Sequence, residues 1–326
     1  MTKPLLFLIV LIFSIKLATS QDIVIYNQYL NNPFLYNPAW AGSTKSNELR
    51  ASYRQQWIGI SNAPSTQTFS FQGGFNKVGL GVYAYNDKNG RTSHSGLEIA
   101  YSYHVQFSDF ESVRKQNILA FALSAGINQY KMDLNSLIAE NDDPALAANN
   151  SAKLSPAVNF GILYQNGDYS TGFSATQLLP ETVKLTNSVT QTVKPRTYYL
   201  YNSYNFGMFD EFILTPSLLL KYDENNTRQF DFDIKTTYKA ILNTDIWLSL
   251  NYRRVMDAGA GANNAFIPSM GLIYKQYYFG YIYELGLSQL KSYNSGTHEI
   301  TIGYNFNSSS IRNLKNPAYR PTLNNN

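Results

Sequence analysis

The chain has 326 residues, no cysteine and a net charge of +4, and only 15% of its residues are charged, against about 25% in soluble domains. The lack of cysteine excludes a disulfide framework and a lipoprotein attachment site. The mild charge, with no basic groove, argues against a nucleic-acid partner. Aromatic residues also make up 15% of the chain, with 26 Tyr and 19 Phe, a balance that is typical of outer-membrane β-barrels.

Residues 1–20 have the pattern of a secretory signal peptide. Lys3 supplies the positive start, "LLFLIVLIFSI" the apolar region, and Ala18 and Ser20 the small residues before a cut ahead of Gln21. The apolar run is shorter than the ~20 residues of a membrane-spanning helix, which disfavours an uncleaved anchor. We therefore expect an exported protein, and no later apolar run predicts a transmembrane helix.

Residues 21–46 are predicted to form an irregular N-terminal segment before the first regular element. Its two Asn-Pro pairs favour extended or turn geometry, because a residue that precedes proline avoids the helical region. Two placements are open: a plug that packs into or under a barrel lumen, or an arm on the periplasmic rim. We favour the plug, because the segment carries five large apolar anchors. These are Tyr29, Phe34, Leu35, Tyr36 and Trp40.

Alternation of apolar and polar residues dominates the rest of the chain. In "FDFDIKTTYK" (230–239), Phe, Phe, Ile, Thr and Tyr share one face, and Asp, Asp, Lys, Thr and Lys share the other. Fourteen such segments are predicted. They are 47–60, 65–75, 77–87, 94–107, 116–130, 154–166, 168–178, 195–207, 211–223, 227–240, 243–256, 263–275, 276–287 and 296–306.

The connections between these segments alternate between short and long. An outer-membrane β-barrel explains this pattern, because its periplasmic turns are short and its extracellular loops are longer, whereas a β-sandwich does not. We predict an all-β fold: a transmembrane outer-membrane β-barrel of about 14 antiparallel strands over residues 47–306. Residues 307–326 are a basic tail that this topology places in the periplasm, either disordered or docking a partner.

Charged residues on the strands predict which face points into the lumen, because a cation facing lipid at the bilayer midplane costs ~2–4 kcal/mol. Arg50, Arg54 and Gln56 share one phase and are predicted to point inward. Arg253 and Arg254 are adjacent, so one must point outward, and the phase assigns this to Arg254 at the outer end of its strand.

Three strands carry a proline near their start, at positions 156, 216 and 268. Because proline has no N–H to donate and a closed barrel has no free edge, we expect these residues to mark bulges or irregular strand starts.

The residues offer little basis for catalysis, for a cofactor or for a metal. Ser95 lies next to His94, but neighbours on a strand point to opposite faces. His298 and Glu299 diverge in the same way and are predicted to be a rim histidine and a lumen carboxylate. The acidic stretch 141–144 lacks the ligand spacing of a calcium loop, which favours a solvated loop.

Four motifs, "NNPFLYNPAWAGS", "YRQQWIGI", "APSTQTFSF" and "KSYNSGTHEI", occur in this order along the mature chain. Together they resemble the PorP/SprF family, outer-membrane barrels of the type IX secretion system of Bacteroidetes. The matching positions are Asn32, Pro33, Asn37, Pro38, Ala39, Gly42, Tyr53, Arg54, Gln56, Trp57, Gly59, Ala63, Pro64, Thr66, Gln67, Gly296, Thr297, His298 and Glu299.

The resemblance implies a non-enzymatic protein of the outer membrane, in contact with lipid, that takes part in secretion, gliding motility or surface retention of an adhesin. Its partners would be a large secreted cargo with a C-terminal sorting domain or type IX periplasmic subunits. The motif positions are candidates for binding such a partner. The alternative is a general outer-membrane channel for small solutes, which would need an open, water-filled lumen.

Overall fold

The computed structural model describes residues 27, 29, 31–44, 46–107, 117–132, 152–184, 190–209, 211–240, 244–256 and 264–306. Among them, no helix is long and apolar enough to span a membrane. The strands are β1 (Asn47–Gln55), β2 (Ser65–Phe75), β3 (Val78–Asn89), β4 (Thr92–Gln106), β5 (Asn117–Met132), β6 (Lys153–Asn166), β7 (Tyr169–Thr176), β8 (Glu181–Lys184), β9 (Thr190–Lys194), β10 (Thr197–Tyr204), β11 (Phe206–Met208), β12 (Phe212–Asp223), β13 (Arg228–Ala240), β14 (Thr244–Val255), β15 (Ala265–Tyr274), β16 (Tyr277–Gly286) and β17 (Thr297–Phe306). Three short 3-10 helices are η1 (Pro33–Leu35), η2 (Pro38–Trp40) and η3 (Gln289–Tyr293).

The main sheet closes into a barrel. Neighbouring strands pair antiparallel, β1 pairs with β17 from Asn47↔Phe306 to Gln55↔His298, and β10 pairs with β12. The sheet has 15 strands, but β10 and β11 are separated by Asn205 alone and both pair with β12, so the wall has fourteen. The predicted outer-membrane barrel is confirmed. Strands β8 and β9 form a separate hairpin between β7 and β10.

The strands alternate as the sequence predicts, with apolar side chains outward and polar side chains inward. On β13 the outward Phe232 is exposed, whereas the inward Asp231 is fully buried. On β14 the inward Arg253 is 0% exposed and its neighbour Arg254 is exposed, as predicted. Arg50 is inward and buried in the same way.

The two ends of the barrel differ in their connections. Two-residue turns at 76–77, 167–168 and 275–276 share one end with Asn47 and Phe306, whereas among the described connections the opposite end has one such turn, at 90–91. Outer-membrane barrels place their short turns in the periplasm. We call this the periplasmic end and the opposite one the outer end.

Two features of the strands differ from the prediction by more than the shift of one or two residues seen at other strand ends. The first strand ends at Gln55 and not at residue 60, because Trp57 takes a positive φ of 47° that turns the chain. The hairpin of β8 and β9 was not predicted, since both strands are too short to show alternation.

The prediction that prolines mark bulges or strand starts is wrong. Pro156 lies inside β6, on a stretch that extends beyond the pairing with β7. Pro216 pairs with β13 but faces the break between β10 and β11, and Pro268 faces a gap in the pairing of β15 with β16. The register does not shift at any of them. Each proline therefore lies where one of its two flanking ladders is absent or interrupted, so its missing N–H is tolerated.

Three regions of the prediction lie outside the described residues. They are the signal peptide 1–20, the acidic stretch 141–144 and the tail 307–326. The expectations for them stay predictions.

Candidate functional site

Two short 3-10 helices shape the segment that precedes β1, here called the lumenal segment (residues 27, 29 and 31–44). Each begins at the proline of an Asn-Pro pair, Pro33 in η1 and Pro38 in η2. Proline suits this position because its fixed φ fits the helix and its missing N–H would have no partner there. Asn37 also caps η2, since its Oδ1 accepts a hydrogen bond of 2.9 Å from the backbone N of Ala39.

The aromatic side chains of the lumenal segment form an apolar core with the inner wall. The ring of Tyr36 lies 5.6 Å from that of Tyr199, and Trp40 stands edge-on to Tyr201 at 5.9 Å. Burial of one large apolar side chain stabilises by about 1.5–3 kcal/mol. The core consists of Tyr29, Phe34, Leu35, Tyr36, Ala39, Trp40 and Ala41 from the segment and Tyr83, Tyr85, Ala100, Ala120, Ala122, Leu163, Tyr201 and Leu219 from the wall.

Side chains of the wall satisfy backbone carbonyls of the segment. Ser174 Oγ on β7 donates to the Tyr36 carbonyl at 2.6 Å. His104 Nε2 on β4 lies 3.0 Å from the Ala41 carbonyl, which can only accept, so this nitrogen carries the hydrogen. Buried carbonyls without a partner are costly. The irregular backbone is thus compatible with its buried position.

Two asparagines of the segment hydrogen-bond to the wall in turn. Asn37 Nδ2 donates to the carbonyls of Ile162 on β6 and Phe173 on β7, at 3.1 and 3.3 Å. Asn32 Nδ2 donates to Ser70 Oγ on β2 at 2.9 Å. The segment is therefore bonded to separate parts of the wall, at β2 and at β6 and β7.

Glycines of the wall lie where the segment comes closest. A Cβ on Gly81 of β3 would overlap the ring of Phe34, and one on Gly161 of β6 would overlap Asn37 Oδ1. A Cβ on Gly79 would overlap the backbone of the segment. The wall lacks side chains at these contacts, so wall and segment fit each other.

We expect Gly161→Val to displace the lumenal segment from β6 and to raise ion conductance in planar bilayers severalfold. The added Cβ would meet Asn37 Oδ1 and lie 3.0 Å from Pro38 Cδ. Gly286→Val on β16 is the matched control, since nothing lies within 4 Å of a Cβ there. Equal conductance of the two variants would show that the fit at Gly161 is unimportant.

Charged side chains form a buried cluster near the outer end, here called the outer-end cluster (Asn27, Arg54, Asp231, Arg253 and Glu284). Arg253 donates through Nε to Asp231 Oδ1 at 2.9 Å and through Nη1 to Asn27 Oδ1 at 2.8 Å. Glu284 Oε2 accepts from Asn27 Nδ2 at 2.6 Å and from Arg54 Nη2 at 3.1 Å. Each charge therefore has an opposite partner, as buried charges require.

A family model described as "Type IX secretion system membrane protein PorP/SprF" matches residues 18–304. The chain belongs to the PorP/SprF family. It is an outer-membrane component of the type IX secretion system. A search of curated proteins finds no match.

Solved structures similar to this PorP/SprF protein are outer-membrane barrels. The "CymD monoaromatic hydrocarbon channel" is 11% identical, with a TM-score of 0.50, over 89% of this chain and 95% of that chain. The Ralstonia pickettii toluene transporter TbuX is 10% identical, with a TM-score of 0.45, over 84% of this chain and 92% of that chain. At these identities the likeness concerns the fold alone.

The motif positions of this PorP/SprF chain fall into three places. The first is the lumenal segment, which turns at Gly42, where a φ of +69° and close contact with the backbone of Gly73, Gly74 and Gly79 leave no space for a side chain. The motif positions in this segment are Asn32, Pro33, Asn37, Pro38, Ala39 and Gly42.

The second place is the inner face of the wall, on which Arg54, Gln56, Thr66 and Glu299 are buried. Gln56 Oε1 accepts from Arg54 Nη1 at 3.1 Å, which joins this glutamine to the outer-end cluster. Thr66 Oγ1 donates to Asp87 Oδ1 at 2.6 Å. The predicted inward phase of Arg54 and Gln56 agrees with the structure.

The third place is the outer surface and outer rim, which hold Tyr53, Trp57, Pro64, Gln67 and His298. At the rim the first outer connection (56–64) bonds to the last one (287–296), through Ile58 N to Gly296 O at 2.9 Å and Ser295 N to Ile58 O at 2.8 Å.

His298 and Glu299 point to opposite faces. His298 Nδ1 lies 2.6 Å from Tyr281 Oη on the outside, whereas Glu299 is buried inside. The structure thus separates these two candidates, as the alternation predicts.

Sequence reasoning missed four of the five members of the outer-end cluster as site residues, namely Asn27, Asp231, Arg253 and Glu284. The phase of alternation already placed Asp231 inward. The pairing across β13, β14 and β16, which brings them together, needs the strand order. Within the described residues, no group of three or more His, Cys, Asp or Glu is placed to hold a metal ion.

Proposed function

We propose that this PorP/SprF protein is a non-enzymatic partner-binding barrel that supports the export or surface retention of a secreted protein. The observation that carries this proposal is the occupied lumen. Residues 31–44 cross the barrel interior in contact with β3, β4, β5 and β6. A solute channel needs a continuous water-filled path, and this segment lies in its way.

The contacts of the segment favour a permanent plug. Its apolar core, its hydrogen bonds to Ser70, Ile162 and Ser174 and the glycines opposite it are all specific to one placement. Displacing it would expose several large aromatic side chains to water, at about 1.5–3 kcal/mol for each fully buried ring.

The outer rim supplies a surface that fits the same role. The bonded first and last outer connections carry several motif positions, and the side chains of Ile58 and Tyr293 are exposed there. Large exposed apolar side chains on an ordered rim are typical of protein-binding surfaces. We therefore place the partner at the outer end, next to the outer-end cluster.

A general solute channel is the alternative that the barrel alone would allow. Its support is the fold shared with the CymD channel, and a shared fold does not specify function. Catalysis finds no support in the described residues, where Ser95 and His94 keep opposite phases.

The proposal is tested by purifying the protein with a C-terminal tag from its native membrane in mild detergent, followed by mass spectrometry. We expect a large secreted protein with a C-terminal sorting domain at near-stoichiometric yield. Type IX periplasmic subunits in its place would assign the protein to the core machinery. A barrel that is purified alone would contradict the proposal and favour the solute channel.

A further inference from the structure

The lumenal segment has a definite direction inside the barrel, and its carboxy-terminal part lies at the periplasmic end. Gly42 packs on Gly79, next to the short turn 76–77. The Ala41 carbonyl contacts His104, whose own backbone N donates to Lys77 O in that same turn. The segment then joins β1 at the periplasmic end.

Residues earlier in the segment contact the middle of the wall. Asn32 bonds to Ser70 in the middle of β2. Asn31 Oδ1 accepts from Lys235 Nζ in the middle of β13, at 2.8 Å. Earlier residues of the lumenal segment therefore lie closer to the outer end of the barrel.

Asn27, the first described residue, lies nearest the outer end of the barrel. Asn27 bonds to Arg253 and Glu284, which lie near Val255 and Gly286, the outer ends of β14 and β16. Its side chain uses both amide functions, with Nδ2 donating to the carboxylate and Oδ1 accepting from the guanidinium. The outer-end cluster thus holds the Asn27 end of the lumenal segment.

We infer that the segment is threaded through the barrel with its amino-terminal side outward, so that Asn27 lies toward the cell-surface mouth and Gly42 toward the periplasm. A free terminus can enter from the periplasmic end without knotting the chain. The predicted cut before Gln21 leaves residues 21–26, which can reach about 20 Å when extended. Glu284 lies only about 7 Å below the outer end of its strand.

This inference deepens the proposed function and rests on it. A partner on the cell surface would contact the Asn27 end of the lumenal segment. A periplasmic subunit would contact only the bend of the segment at Gly42. The geometry therefore fits a secreted protein retained at the surface better than a periplasmic partner.

The test uses single cysteines, because the native chain has none. Asp22→Cys is labelled in intact cells with a membrane-impermeant maleimide, and Val24→Cys is a second probe in case the terminal residues are trimmed. Position 21 is left unchanged, because a cysteine directly after the predicted cut would create a lipoprotein attachment site. Arg91→Cys in the outer turn between β3 and β4 marks full outside labelling, and Lys77→Cys in the periplasmic turn marks protection.

We expect both N-terminal cysteines to label in intact cells as fully as Arg91→Cys. Labelling that requires permeabilised cells, as for Lys77→Cys, or no labelling at all would overturn the threading. Conductance of the same variants separates this inference from the proposed function. If the N-terminal cysteines are protected from labelling but the barrel does not conduct, the threading is wrong and the occupied lumen stands. If the barrel conducts, the occupied lumen itself is wrong.

Discussion

Replacing Arg253 with methionine is expected to lower the free energy of unfolding by about 3–5 kcal/mol. Arg253 is 0% exposed and lies between the carboxylates of Asp231 and Glu284, at 2.9 and 3.7 Å. Its removal leaves Asp231 charged and without its arginine partner in the lumen. Loss of the guanidinium also removes the hydrogen bond to Asn27 Oδ1, so the Asn27 end of the lumenal segment is held less firmly. Denaturant unfolding of the barrel in lipid vesicles, followed by tryptophan fluorescence, measures the change.

The adjacent arginine is the matched control for this experiment. Arg254→Met removes the same charge from an exposed, outward position, so we expect a change within about 0.5 kcal/mol. Arg253→Met combined with Asp231→Leu should recover most of the lost stability, because the carboxylate that lost its arginine partner is then also removed. Similar losses for Arg253→Met and Arg254→Met would contradict the buried cluster.

Deleting residues 22–43 is expected to raise ion conductance in planar bilayers on the order of tenfold, because the wall then encloses an unfilled lumen. The inner faces of β3 to β7 would exchange the buried rings of Phe34, Tyr36 and Trp40 for water. Barrel closure depends on the strand ladders, which the deletion leaves intact. Heat-modifiable migration on gels checks that the variant still folds.

A second variant separates an emptied lumen from a lost terminus. Replacing residues 31–43 with a flexible Gly/Ser linker of equal length keeps the chain but removes its aromatic anchors. We expect this variant to conduct like the deletion. If both variants stay at the wild-type level, the segment does not close the lumen.

Much of the wall could be predicted from the sequence, because alternation is a local signal. The opposite directions of Arg253 and Arg254 followed from phase alone, and so did the inward positions of Arg54 and Asp231. The strand end at Gln55 was missed, since the positive φ of Trp57 is not expected of a large side chain.

The candidate site was less predictable, because it depends on contacts between distant residues. The sequence offers Asn37 as a turn residue, but nothing local pairs it with Gly161 or Phe173. In the same way Asn27 is separated by more than 200 positions from Arg253 and Glu284, and only the closed strand order brings them together. The prolines were misjudged for a related reason, since a barrel wall contains gaps that serve as edges.

The most direct test of the occupied lumen is the steady conductance of the unmodified full-length protein in planar bilayers. We predict a level indistinguishable from that of the lipid alone, because the lumenal segment runs through the interior from its bend at Gly42 to Asn27 in the outer-end cluster. A stable open-channel current from the intact protein would contradict the account and would make this barrel a solute channel.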